Sequence, residues 1–82
     1  MKIKIRLIGR YKDISGKSEF IMEVPEGDSI WHVVDMFIKQ YPSFEKDKCF
    51  MIVSQNGRFT TLDEKINEGD EVMIAPPVVS GG

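Results

Sequence analysis

The chain has a single cysteine, Cys49, and a single histidine, His32. One thiol cannot close an internal disulfide, and one thiol with one imidazole cannot by themselves complete a metal site, so stability has to come from packing. No stretch approaches the ~20 consecutive apolar residues of a membrane span. Met1-Lys2-Ile3-Lys4 alternates where a signal peptide would carry an apolar block, so the expected location is the cytoplasm, with no membrane partner. Common catalytic signatures are missing as well: there is no Gly-x-x-x-x-Gly-Lys-Ser/Thr loop, Cys-x-x-Cys, His-Glu-x-x-His or Gly-x-Ser-x-Gly. His32 reads as a solvated helix residue and Cys49 as a small core residue, because no spacing puts a base beside the thiol.

What is present is the make-up of one globular domain: 82 residues, 41% hydrophobic and 29% charged. The net charge of -2 argues against general affinity for nucleic acid. Lys2, Lys4, Arg6, Arg10, Lys12 and Lys17 nevertheless crowd the first seventeen positions, with Asp13 alone opposing them. Pairing with the glutamates of a neighbouring strand accounts for this more simply than a nucleic-acid patch.

Met1 to Leu7 alternates with period two, Ile3, Ile5 and Leu7 on one face and Lys2, Lys4 and Arg6 on the other, which predicts a half-buried strand. Gly9 to Lys17 is polar and reads as a loop. Ser18 to Val24 alternates again, with Phe20, Met22 and Val24 inward and Glu19, Ile21 and Glu23 outward, the second arm of an antiparallel hairpin. Pro25-Glu26-Gly27-Asp28 is a turn, after which the side chain of Asp28 or Ser29 is expected to cap a helix. Ile30, Val33, Val34, Phe37, Ile38 and Tyr41 form one apolar stripe, with Trp31 at its edge and Met36 outside it. Pro42 should end the helix near Gln40. Ser43 to Lys48 reads as a charged connection and Cys49-Phe50-Met51-Ile52-Val53 as a strand. Asn56-Gly57 predicts a two-residue hairpin returning through Arg58-Phe59-Thr60. Leu62 and Ile66, four apart, suggest one helical turn within Thr61 to Glu68. Glu71 to Ala75 is the last strand, with Val72 and Ile74 inward if Glu71 faces water. The acidic run Glu68-Gly69-Asp70-Glu71 is read as turn chemistry and not as a cation site.

This order predicts a two-layer α+β domain in which one helix covers one face of a mixed sheet of four to five strands, the first and last strands at its centre. The domain is expected to span residues 1–75, with 76–82 as an extended tail. Pro76-Pro77 withholds two backbone donors and ends the strand, and Val78-Val79-Ser80 leads to Gly81-Gly82, a tip without side chains. Seven residues can reach roughly 23–25 Å, enough to enter a narrow slot.

The order of elements with this ending resembles the ubiquitin-like β-grasp. Glu68-Gly69-Asp70-Glu71-Val72-Met73-Ile74-Ala75-Pro76-Pro77-Val78-Val79-Ser80-Gly81-Gly82 is similar to the ending of the MoaD/ThiS group, which includes the small subunit of molybdopterin synthase. Ile8-Gly9-Arg10-Tyr11-Lys12-Asp13 with Gly16 matches more loosely, Lys12-Asp13 standing where the family has Arg-Glu. The tail departs too: Val79 and Ser80 both lie between Pro-Pro-Val and Gly-Gly, where one residue is usual, adding about 3.3 Å of reach.

The resemblance implies a sulfur carrier. The carboxylate of Gly82 would be adenylated by a ubiquitin-activating-type enzyme that consumes ATP, then converted to a thiocarboxylate for molybdenum or tungsten pterin cofactor synthesis. The chain itself would bind no cofactor or metal, and would at most be the non-adenylating subunit of an enzyme. Implied partners are that activating enzyme, the molybdopterin synthase large subunit and a sulfurtransferase, with the chain alone a monomer. Family members of this kind dock through an apolar patch on the sheet, which points to Ile21, Met73, Ala75, Pro76 and Pro77 with Val78, Val79 and Ser80; Phe50 and Ile52 depend on the register of their strand. Two other readings stay open: a protein modifier joined to lysines through Gly82, and a β-grasp binding module whose tail does not react.

Overall fold

The computed structural model describes residues 1–77, which form five strands, two α-helices and a 3-10 helix. β1 (Lys2–Leu7) pairs antiparallel with β2 (Glu19–Glu23), Lys4 opposite Ile21 and Arg6 opposite Glu19. β5 (Glu71–Ala75) lies parallel to β1 and antiparallel to β3 (Ile52–Gln55), which turns through Asn56-Gly57 into β4 (Arg58–Thr60). Both turn residues have positive φ, 52° and 85°, as a two-residue hairpin that follows the strand twist requires. The spatial order β2-β1-β5-β3-β4 puts the first and last strands at the centre, as their alternation predicts.

The first helix, α1 (Arg10–Ser15), occupies the segment read from sequence as a loop. The second, α2 (Ile30–Gln40), buries Ile30, Val33, Val34, Phe37 and Ile38 against Ile3, Ile5, Leu7, Val53, Val72 and Ile74 from the sheet. Met36 stays outside the stripe and exposed. This sheet with one helix laid across one face is the ubiquitin-like β-grasp. No helix among the described residues is long and apolar enough to cross a membrane.

Further expectations are corrected. A 3-10 helix (Pro42–Phe50) replaces the charged connection and takes Cys49 and Phe50 out of the predicted strand, which begins at Ile52; Cys49 is exposed, not in the core. The cause is Phe44, buried at 2% exposure between Tyr11 and Phe37, which pulls the segment onto the core. Thr61 to Glu68 forms no helical turn. Its carbonyls are taken instead by the start of α2, Leu62 O accepting from Trp31 N (2.9 Å) and Glu64 O from Ile30 N (3.0 Å). Those bonds satisfy amides that a helix leaves unpaired at its N-terminus, and Ser29, the residue before α2, makes no side-chain cap.

Asp70, only 7% exposed, locks the start of β5. Its carboxylate accepts from Gln55 Nε2 (2.7 Å), Asn56 Nδ2 (2.9 Å) and Asn67 N (2.8 Å), while Asn56 Oδ1 accepts from Glu71 N (2.9 Å). Burial pushes the Asp70 carboxyl up, but the hydrogen bonds from Asn56, Asn67 and Gln55 outweigh it and hold it below the usual carboxylate range. A depressed folded pKa stabilises the fold above the unfolded value, about 4, and that contribution fades as pH falls through the folded value. The urea midpoint of Asp70→Asn should therefore lie below wild type at neutral pH and converge on it toward about pH 2. A gap that stays constant with pH would count against this assignment.

Candidate functional site

β5 delivers the chain to the middle of the sheet edge, flanked by β1 and β3, and there the pairing stops. The ladder with β1 runs to Leu7 opposite Ile74, with one further bond from Ile8 N to Ile74 O (3.2 Å). Pro76 and Pro77 follow, half-buried and without N–H groups to extend it. Across from Pro76 stands Gly9, at φ 62° and ψ -135°; a β-carbon built there would lie 3.5 Å from Pro76 Cγ. Val78, Val79, Ser80, Gly81 and Gly82, the rest of the predicted reactive and partner-binding tail, lie outside the described residues.

Register settles the outer face of the sheet. Met73 is flanked by Arg6 on β1 and Ser54 on β3, and Ser54 faces Phe59 on β4; Ala75 is paired with Ile52. Met73, Ala75, Ile52 and Phe59 thus share one region beside the exit of the tail. Val53, with 3% exposure, points inward, which assigns Ile52 to the outer face. Phe50 is 69% exposed but belongs to the 3-10 helix. Ile21, at 61% exposure, lies on the same face but opposite Lys4, so β1 with its basic side chains stands between it and Met73. Phe59, 79% exposed, and Ile8, 46% exposed, complete the apolar surface. The hairpin signal at Asn56-Gly57 could have revealed Phe59, since a two-residue turn fixes which return residue faces Ser54.

The basic residues of β1 are largely engaged within the sheet. Arg6 Nη1 lies 3.3 Å from Glu71 Oε1 and Lys4 Nζ 3.8 Å from Glu19 Oε2. At this exposure such pairs contribute only a few tenths of a kcal/mol each, but they offset the charge expected from the sequence. His32 sits on the solvent side of α2, Nδ1 3.3 Å from Asp28 Oδ2. A groove of about 770 Å³ between α2 and the 3-10 helix is lined by His32, Asp35, Met36, Lys39, Glu45 and Lys48. It lies on the helix side, away from the outer sheet face and the base of the tail. Lys48 Nζ contacts Asp35 Oδ1 at 2.7 Å, and that hydrogen bond raises the ammonium pKa above its ordinary value.

Among the described residues no nucleophile and base are assembled; what they offer is an apolar face beside the point where β5 ends at the sheet centre. Comparisons agree with this architecture. The chain is 27% identical over 82 residues to the molybdopterin synthase sulfur carrier subunit of Arabidopsis thaliana, covering all of this chain and 84% of the relative. It is 29% identical over 84 residues to the protein of the same description from Dictyostelium discoideum, with 99% and 96% coverage. Among solved structures, a Pyrococcus furiosus protein described as molybdopterin converting factor, subunit 1, superposes with a TM-score of 0.81 at 26% identity, covering 95% of this chain and 99% of that one. The model of the ThiS family matches residues 5–82. Because that match runs from the middle of β1 through every later element and on to residue 82, the chain belongs to the ThiS family.

Proposed function

We propose that the chain is a ubiquitin-like sulfur carrier of molybdopterin synthesis, activated at the carboxylate of Gly82. The observation that carries this reading is full-length similarity to two proteins described as molybdopterin synthase sulfur carrier subunits. A carboxylate is a poor electrophile, so sulfur transfer to it needs a leaving group. In the proposed reaction a Gly82 carboxylate oxygen attacks the α-phosphate of ATP in a partner enzyme and pyrophosphate departs. The terminal sulfur of a persulfide on a donor protein then attacks the acyl carbon and AMP leaves. A second thiol cleaves the resulting acyl disulfide, pairing with the donor cysteine as a disulfide and releasing the thiocarboxylate. The chain supplies the substrate end and a surface to hold; adenylating power and ATP binding belong to the partner. Glycine at positions 81 and 82 keeps side chains away from the reacting carbon.

Intact-mass measurement of the protein isolated from its own cell tests the reading. The expected species has one terminal oxygen exchanged for sulfur. Tail-derived adducts on lysines of other proteins, with no thiocarboxylate form, would replace the carrier reading with that of a modifier.

Docking to the large subunit of the synthase is assigned to the outer face around Met73, Ala75 and Phe59. An aromatic anchor buried at an interface commonly contributes about 2 kcal/mol or more. Phe59→Ala should weaken that complex by about thirtyfold in calorimetric titration, with the unfolding midpoint unchanged because Phe59 is exposed. Ile21→Ala, across β1, should cost less. Equal affinity of wild type and Phe59→Ala would move the docking face elsewhere.

A further inference from the structure

The two edges of the sheet differ: β4 ends one side with three residues, whereas β2 ends the other with five. Bonds from Leu7 N to Ser18 O (2.9 Å), from Val24 N to Met1 O (2.9 Å) and from Met1 N to Val24 O (2.7 Å) fix the phase of the ladder between β1 and β2. In an antiparallel pair every second residue turns its backbone toward the neighbouring strand. Phe20 and Met22 therefore bond to β1, while Glu19, Ile21 and Glu23 aim their N–H and C=O groups away from it. Among the described residues those groups have no hydrogen-bond partner. The side chains of the same three residues are exposed on the outer face, Ile21 at 61%. Charge on that face alternates from strand to strand: Glu71 on β5 lies 3.3 Å from Arg6 on β1, Lys4 on β1 lies 3.8 Å from Glu19 on β2, and Lys2 stands opposite Glu23. The alternation ends at the edge on two carboxylates with an aliphatic residue between them.

We propose that the β2 edge takes up an extended basic segment of a partner protein as an added strand, with the pattern Lys/Arg, any residue, Val/Ile, any residue, Lys/Arg. The outward N–H and C=O groups supply the ladder, and cross-strand pairing sets the two cations against Glu19 and Glu23 and the apolar residue against Ile21. The pattern is symmetric about its centre, so it fits either strand direction. A second copy of the chain does not fit. Antiparallel pairing of two β2 strands about Ile21 sets Glu19 against Glu23 twice, and like charges directly opposite are destabilising. β4 carries one basic residue, Arg58, and not two flanking an aliphatic one. Charges on an edge strand keep unwanted strands away, and here the same two glutamates also select the partner that is admitted. β1 separates this edge from β5, and β4 is the far edge, so the docking uses none of Met73, Ala75 or Phe59 and does not depend on the chemistry at Gly82.

Titration of the isotope-labelled chain with the end-blocked peptide Thr-Arg-Thr-Val-Thr-Arg-Thr, and with its counterpart carrying Glu for Arg, tests the assignment by nuclear magnetic resonance. The amide signals of Glu19, Ile21 and Glu23 should move and their exchange with solvent should slow on saturation, while those of Phe59 and Met73 stay in place. The Glu peptide should bind about tenfold more weakly, and Glu19→Gln combined with Glu23→Gln should erase that preference. Ile21→Pro removes an outward N–H but no bond to β1, so it should stay folded and lose about tenfold in affinity for the Arg peptide. Equal affinity of the wild-type chain for the two peptides, shifts centred on Phe59 and Met73, or β2 amides that do not respond at any soluble peptide concentration overturn the proposal. So do unchanged affinity in a folded Ile21→Pro and a dimer of the chain alone that protects the Ile21 amide. Should Ile21→Pro fail to fold, the glutamine variant decides, and a preference that survives in it overturns the pairing.

Discussion

Removal of Gly81 and Gly82 should abolish adenylation while leaving the urea unfolding curve superimposable on that of wild type. The two halves of this result have separate causes. The last strand closes at Ala75, and every core residue among those described lies at or before Ile74, so the deletion removes no described core residue. Under the proposed function it moves the carboxylate back by two residues, about 7 Å, and puts it on Ser80, whose side chain crowds the carbon that must accept the nucleotide. Both changes act on the reacting atoms, and an effect of at least about a hundredfold is the scale expected when a reacting group is misplaced by more than an ångström. The check is pyrophosphate exchange at carrier concentrations well above KM, so that weaker docking cannot mimic the loss, with urea unfolding on the same samples. Exchange within threefold of wild type would remove Gly82 as the reactive end, and with it both the carrier and the modifier readings.

The legible parts of the fold are those whose burial repeats. Six apolar residues at helical spacing specified α2, and period-two alternation specified β1 and β5 with their faces, because each core position implies the next. α1 has one buried residue in six, Tyr11, and one position has no period. A helix that short is held by tertiary contacts and not by its own hydrogen bonds, and the contacts in question come from Phe37, Phe44 and Asp47, many residues downstream. Asp47 misleads for the same reason. A carboxylate in a run of charges reads as solvated, and only its partners Arg10 and Tyr11 show it to be 6% exposed. Leu62 and Ile66 carried a false helical signal, since four-residue spacing also fits a chain whose carbonyls serve another helix.

The candidate site divides along the same line. Met73 and Ala75 could be assigned to the outer face from alternation alone, once Glu71 was taken to face water. The neighbours that make them a surface, Ile52 and Phe59, needed the register of two further strands. Sequence shows which residues face out; pairing shows which of them touch.

Tyr11→Ala should be the most destabilising single substitution in the domain. The ring is fully buried, 4.5 Å from the Phe44 ring and 5.3 Å from that of Phe37 between centroids, so its loss opens a cavity walled by aromatics. Large aromatic-to-alanine changes in cores cost about 3–5 kcal/mol. Asp47 loses a hydrogen-bond donor in the same step, worth about 1–2 kcal/mol more for a buried carboxylate. At roughly 0.05–0.15 kcal/mol per residue the whole domain has about 4–12 kcal/mol to lose, so Tyr11→Ala should be largely unfolded at the lower end and lose most of its urea midpoint at the upper. Tyr11→Phe keeps the ring and removes only the donor, and should cost about 1–2 kcal/mol. Burial, then the hydrogen bond to Asp47, raise the Tyr11 pKa above its ordinary value of 10.0. A raised folded pKa leaves that contribution intact below the unfolded value, with loss only as pH climbs through the folded one. The deficit of Tyr11→Phe should therefore be flat from about pH 6 to pH 9. Circular dichroism across urea at these pH values checks both variants. A deficit for Tyr11→Phe as large as that for Tyr11→Ala would mean that the hydroxyl, and not the aromatic packing, holds α1 to the 3-10 helix.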